Sequence, residues 1–122
     1  MNEQLQKFDA YLEERIGACK ERSEQLAAED RKDEGNFEKV RANVYEIFKT
    51  IRSVAERVCG GDDFAGKRFF LQKAEEIPAS WSASYDKAKQ HGDLEKMHIE
   101  SIKLDTIREI KDRYMQLWEE TT

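Results

Sequence analysis

Both histidines of the chain, His91 and His98, lie within eight residues of each other and share their segment with the carboxylate of Glu95. Imidazole and carboxylate groups are ligands that zinc and iron accept, and the three-residue spacing of Glu95 and His98 places both on one side of a helix. Di-iron bundles of the carboxylate type need two Glu-x-x-His pairs, whereas this chain has one. The remaining metal hypothesis is a mononuclear site at these three residues. Its alternative is a pair of helix-end histidines without a metal, and we predict no cofactor.

Aromatic side chains concentrate around the single proline, Pro78. Phe69 and Phe70 precede it, and Trp81 and Tyr85 follow it. Rings beside a kinked helix can line an apolar pocket between helices. The alternative is that they fill the gap that the kink opens in a hydrophobic core. The sequence therefore offers these four residues as a candidate ligand pocket, with plain core packing as the competing interpretation.

The end of the last predicted helix is apolar over more than one face. Tyr114 continues the buried stripe, while Met115 and Trp118 point partly away from it. A helix that is apolar on a second face often buries that face against a subunit or a partner. Tyr114, Met115 and Trp118 are therefore the candidate interaction surface.

Other chemistry finds little support in the residue pattern. Three serines, Ser80, Ser82 and Ser84, lack the glycine-flanked elbow of a nucleophilic serine. The glycine pair at 60–61 is followed by Asp62 and Asp63, whose negative charges repel phosphate. We predict no catalytic residue and no nucleotide site, and therefore a protein that is not an enzyme.

Charge and length exclude several classes of protein. The chain has 122 residues, with 26 acidic and 21 basic side chains and a net charge of -5. An acidic chain of interleaved signs lacks the basic surface that nucleic-acid binding requires. No apolar run approaches the roughly 18 residues of a membrane span, and residues 1–20 do not resemble a signal peptide. We expect a cytoplasmic protein that binds neither nucleic acid nor a membrane.

Turn signals divide the chain into four stretches of similar length, each with an apolar stripe at helical spacing. The separators are a polar run at 28–37 that contains Gly35, the glycine pair at 60–61, and His91-Gly92-Asp93. The sequence therefore predicts helices at about 2–29, 34–59, 63–90 and 93–119, with the third kinked or broken at Pro78.

Short connections make consecutive helices antiparallel, so the prediction is an all-α, up-down-up-down four-helix bundle formed by residues 1–122 as one domain. The apolar phase of the first helix also continues through residues 28–36. A single long helix from Asn2 to Val58, paired in a dimer, is therefore the alternative. The hairpin separates Cys19 from Cys59 along the bundle, and this excludes a disulfide between them.

These observations favour a non-enzymatic helical module for protein interaction or for a structural role, self-associating and preferably dimeric. The alternative function is a helical bundle that binds a small ligand or a metal. Four-helix bundles host many unrelated activities, so the fold alone does not choose between them.

Overall fold

A computed structural model describes residues 2–119 as four α-helices, and no strand occurs among these residues. Helix α1 spans Asn2–Ala28, α2 spans Lys32–Cys59, α3 spans Asp63–Gln90 and α4 spans Leu94–Glu119. The predicted all-α architecture is confirmed. None of these helices carries a stretch that is long and apolar enough to cross a membrane.

The first turn is tight and separates α1 from α2. Asp30 adopts a left-handed conformation with φ of 65°, which aspartate tolerates better than most residues. The amide of Arg31 then donates a hydrogen bond of 2.8 Å to the carbonyl of Leu26 at the end of α1. The alternative of one long helix from Asn2 to Val58 is therefore wrong, because the chain reverses at residues 29–31.

Gly35 does not form this turn, although the sequence pattern placed it there. It is buried in the first turns of α2, and the Ser23 hydroxyl donates a hydrogen bond of 2.9 Å to its carbonyl. A Cβ atom added at Gly35 would lie 3.0 Å from the Ser23 carbonyl oxygen. The glycine therefore allows α1 and α2 to approach closely.

The other two turns use the residues that the sequence indicated. Gly60 and Gly92 have φ values of 60° and 68°, in the region that favours glycine. Asp62 accepts a hydrogen bond of 3.0 Å from the amide of Ala65, and Asp93 accepts one of 3.1 Å from the amide of Lys96. These carboxylates cap the N-termini of α3 and α4.

Helix α3 runs without interruption through Pro78, so the predicted break does not occur. A proline removes one backbone hydrogen bond and leaves those of the neighbouring turns in place. Ala74 is buried before Pro78, and Trp81 packs against the core after it. These core contacts hold both halves of α3 in one helix, and the predicted kink is not shown.

Consecutive helices are antiparallel, and ion pairs mark their register. Lys20 of α1 lies 3.0 Å from Glu46 of α2, and Lys111 of α4 pairs with Glu75 of α3. Helix α2 contacts each of the other three helices, while α1 packs mainly against α2. The arrangement is the predicted up-down-up-down bundle.

Toward one end of the bundle the core contains a layer of four rings, one from each helix: Phe8, Phe48, Phe70 and Tyr114. We call it the aromatic layer. Phe70 stacks on Tyr114 with a centroid distance of 3.9 Å, and Phe8 meets both rings edge-on at 5.6 and 5.2 Å. Phe48 contacts Phe70 at 5.8 Å. All four rings are buried, so this level of the bundle is completely filled.

Candidate functional site: a cleft at one end of the bundle

The next level of the bundle follows from the helical repeat. One turn from the aromatic layer, toward the end where α1 begins and α4 ends, the four helices present Leu5, Arg52, Gly66 and Trp118. We call these residues the end layer. Two of the four are unusual for a core position, because Arg52 is charged and Gly66 has no side chain.

A cleft of about 320 Å³ lies at this level, between the end layer and the turn that joins α2 to α3. Its volume falls in the range of roughly 300–1,000 Å³ that is typical of small-molecule sites. Apolar surface comes from Leu5, Ala55 and Trp118, and the backbone of the Gly60–Gly61 turn forms part of the mouth. The cleft is therefore large enough for a compact organic molecule.

Gly66 lines the cleft and leaves open space beside α3. A Cβ atom added there would meet no neighbouring atom within 4 Å, unlike one added at the closely packed Gly35. Glycine inside a helix is about 1 kcal/mol less favourable than alanine. Gly66 therefore lowers helix stability without allowing a close helix contact, and what it provides is room in the cleft.

Arg52 forms the polar floor of the cleft. Its side chain is only 6% exposed, its Nε lies 3.4 Å from Asp9 Oδ1, and its Nη1 lies 3.3 Å from Glu56 Oε2. Charge-assisted bonds between guanidinium and carboxylate groups are ordinarily about 2.7–2.9 Å long. The buried Nε has no hydrogen-bond partner among the described residues. The Arg52 guanidinium is thus held by carboxylate contacts that are longer than ordinary charge-assisted hydrogen bonds.

Burial affects the ionisable groups around Arg52. Burial raises the pKa of the Asp9 carboxyl, and the positive charge of Arg52 opposes that rise. Burial also raises the pKa of Tyr114 to about 12, so this phenol stays neutral at physiological pH. The Lys67 ammonium lies 5.1 Å from the centre of the Trp118 ring, a cation–π distance.

The lining groups are suited to binding. The guanidinium of Arg52 carries five N–H donors and no acceptor, so it is suited to donating hydrogen bonds to a ligand oxygen. The carboxylate of Asp62 is used in capping α3. The cleft therefore combines apolar surface with charged side chains of both signs, a lining that can accommodate an amphipathic ligand.

The structure does not assemble the predicted metal site. His91, Glu95 and His98 are all exposed, and the His98 ring packs edge-on against Phe37 with a centroid distance of 4.4 Å. Among residues 2–119, no three side chains of the metal-ligating types are grouped so that they could hold an ion. The turn between α3 and α4 spreads these three residues over solvent-facing positions.

The structure does not bring the four predicted pocket residues together either. Phe70 belongs to the aromatic layer, Phe69 lies under the Lys73 ammonium, and Trp81 lies under that of Lys103. Tyr85 is half-buried and sixteen residues from Phe69, which is about 24 Å along the helix. Because α3 is unbroken, these rings lie at different levels along it. Phe70 packs in the core, as the competing interpretation predicted.

The predicted interaction surface separates into a core residue and two boundary residues. Tyr114 is 2% exposed and stacked in the aromatic layer, so the prediction that it lies on an interaction surface is wrong. Met115 and Trp118 are half-buried, and Trp118 lines the cleft. The wide apolar face of α4 is explained by a helix end that faces both the core and the cleft.

A second, partly buried polar network joins three helices near the middle of the bundle. Arg15 of α1 donates a hydrogen bond of 3.2 Å to the hydroxyl of Tyr45 on α2, which itself donates to Glu109 of α4. Burial and the bond to Glu109 raise the pKa of Tyr45 to about 12. This network connects α1 and α4 where they otherwise make few contacts.

Neither Arg52 nor Gly66 was predicted from the sequence as a functional residue. The signal for Arg52 was available, because it lies four residues after Phe48 and three before Ala55, in the buried stripe of α2. The signal for Gly66 was weaker, since its position opposite Arg52 depends on how α2 and α3 align.

Comparison with known proteins gives no further guide: no family model, curated protein or solved structure matches this chain.

Proposed function

We propose that this protein is a non-enzymatic helical bundle that binds a small ligand in the cleft of the end layer. The observation that carries the proposal is the Arg52 guanidinium, which lines the cleft and is held by two long contacts, 3.4 Å to Asp9 and 3.3 Å to Glu56. Charge-assisted bonds to a guanidinium are ordinarily about 2.7–2.9 Å long. A ligand oxygen could form such a shorter bond with Arg52, and an apolar ligand body would fill the space beside Gly66.

The test is ligand-dependent thermal stability. A ligand that binds only the folded state raises its stability, by about 2.7 kcal/mol at 100 times the Kd. We expect small apolar molecules that carry a hydrogen-bond acceptor to raise the unfolding temperature of the wild-type protein. Their effect is expected to disappear in Gly66→Leu, because the new side chain occupies the cleft.

The matched control is Gly17→Leu, which adds the same side chain to an exposed glycine of α1 that also has no atom within 4 Å of an added Cβ. This variant is expected to keep the full ligand response. The proposal is contradicted when no such molecule stabilises the wild type, or when Gly66→Leu responds as Gly17→Leu does.

Self-association, the function predicted first from the sequence, is the second candidate. Val58 and Phe64 are 66% and 71% exposed and lie on either side of the Gly60–Gly61 turn. Large apolar side chains exposed together favour burial against another molecule. We infer that a second copy would cover them, with a dimer as the expected assembly.

Light scattering tests this second candidate. A wild-type dimer that becomes a monomer in Phe64→Ser would support it, while a monomeric wild-type protein would end it. A cytoplasmic setting is part of both proposals, and it is supported by the free thiols of Cys19 and Cys59.

A further inference from the structure

We propose that the ligand is a small carboxylate with an apolar body, and that its carboxylate replaces Glu56 on Arg52. This inference rests on the function proposed above and names the chemistry of the ligand. It follows from how loosely Arg52 is held, from how mobile Glu56 can be, and from the charges around the cleft.

The first step concerns the shape of the guanidinium group. Its planar fork can bind both oxygens of one carboxylate through two parallel hydrogen bonds. In this structure one Asp9 oxygen lies 3.4 Å from Nε and one Glu56 oxygen lies 3.3 Å from Nη1, so neither carboxylate binds the guanidinium through two short hydrogen bonds. Arg52 therefore faces the cleft with the capacity for a tighter carboxylate partner.

The second step concerns the group that would leave. The Glu56 side chain is 62% exposed, so it can turn into water without a desolvation penalty. Exchange of Glu56 for a ligand carboxylate leaves the charge next to Arg52 unchanged. In the free protein the Glu56 carboxylate thus occupies the position on Arg52 that the ligand carboxylate would take.

The third step concerns the acidic mouth. Asp62 accepts a hydrogen bond from Ala65 at the start of α3, and Asp63 lies in the first turn of the same helix. The positive end of the helix dipole offsets part of their charge. A single negative charge can therefore enter past them, whereas a doubly charged phosphate would meet more repulsion than one departing glutamate relieves.

The fourth step concerns the rest of the ligand. Leu5 and Trp118 supply apolar surface, and Gly66 leaves the adjacent space open. The Lys67 ammonium over the Trp118 ring adds a second positive charge on the cleft wall. A carboxylate attached to a ring or a short alkyl chain matches this combination of groups.

Calorimetric titration of the wild-type protein with three matched probes tests the inference: 3-phenylpropanoate, its neutral amide, and 3-phenylpropylamine. All three share one apolar body and differ in the charged end. We expect the carboxylate to bind about tenfold or more tightly than the amide, because hydrogen bonds between two charged groups are the stronger ones. The amine is expected to bind more weakly than the carboxylate.

Variants then locate the effect. Glu56→Gln removes the internal competitor and should tighten carboxylate binding about two- to fivefold, the scale of an exposed ion pair. Glu46→Gln, an exposed glutamate of α2 that pairs with Lys20 away from the cleft, should leave affinity unchanged. Arg52→Met should abolish the preference for carboxylate over amide.

The outcomes separate this inference from the proposed function. Amide or amine binding as tight as that of the carboxylate overturns the inference and leaves a ligand-binding cleft in place. Absence of binding by all three probes overturns both. Glu56→Gln that weakens carboxylate binding also overturns the inference, because Glu56 would then assist the ligand and not compete with it.

Discussion

Two neighbouring levels of this bundle are built on the same four helices and differ in how they are filled. The aromatic layer receives one buried ring from each helix. One turn away, α2 contributes the charged Arg52 and α3 contributes Gly66, and a cleft of about 320 Å³ remains. The side chains at the two levels therefore differ in how completely they fill the space between the helices.

This contrast indicates which level stabilises the fold and which level is available for binding. Natural sequences depart from the rules of core packing mainly at functional sites. A buried arginine held by long ion-pair contacts, and a helical glycine beside open space, are two such departures in one layer. The predictions below test whether the two levels respond as differently as their side chains suggest.

The largest effect is expected in the aromatic layer. Phe70 is fully buried and contacts the other three rings, so Phe70→Ala should lower the free energy of unfolding by about 3–5 kcal/mol. Chemical denaturation measures this loss. Phe69→Ala, at the half-buried neighbour, is the control and should cost clearly less. Equal losses in the two variants would remove the distinction between the layer and its surroundings.

Alkaline pH should lower the stability of the fold by ionising buried tyrosine side chains. Burial raises the pKa of Tyr114 and of Tyr45 from 10.0 to about 12. In the unfolded chain these phenols lose their protons near pH 10, so stability is fully present below pH 10 and falls as the pH rises toward 12. Tyrosinate absorbance and helical circular dichroism should therefore change together. Ionisation of both residues near pH 10 without loss of helix would contradict their burial.

A smaller effect of opposite sign is expected in the end layer. Gly66→Ala should raise the free energy of unfolding by about 1 kcal/mol, because alanine favours the helix and nothing blocks its Cβ. Gly17→Ala, at an exposed position of α1, should give a similar gain in the free energy of unfolding. A loss of stability in Gly66→Ala alone would mean that packing requires this glycine and that the space beside it is not open.

The smallest change in stability is expected for Arg52→Met. Loss of one member of a buried ion pair is severe when the remaining charge stays buried. Here the Asp9 and Glu56 side chains are 41% and 62% exposed and can be hydrated. We therefore expect the free energy of unfolding to stay within about 1 kcal/mol of the wild-type value, because the substitution leaves no unpaired charge buried. A loss near 4 kcal/mol would show that Arg52 stabilises the fold.

The helices could be predicted because their stripes and caps are local in sequence. The turn residues were less certain, since a glycine such as Gly35 serves a turn or a close helix contact, and only the facing Ser23 decides between them. Pro78 was expected to break α3, but core contacts on both sides keep the helix whole. Local sequence patterns predicted the helices, whereas tertiary packing determined the conformation at Gly35 and at Pro78.

The cleft was not predictable in the same way. Arg52 could have been noticed as a charge in a buried stripe, but the open space requires Gly66 to face it from another helix. That alignment depends on the register of α2 against α3, which no local pattern specifies. The histidine and aromatic groupings attracted attention because they are close in sequence, whereas the end layer combines residues from four separate helices.

The most direct test of the binding cleft is a two-dimensional amide NMR titration with 3-phenylpropanoate, its amide and its amine in turn. The six glycines of the chain are internal reporters, three lining the cleft and three away from it, respectively Gly60, Gly61, Gly66 and Gly17, Gly35, Gly92. The account predicts saturable shifts of the first three amides and unchanged positions for the other three. Shifts confined to the second group, or no shift with any of the probes, would contradict it.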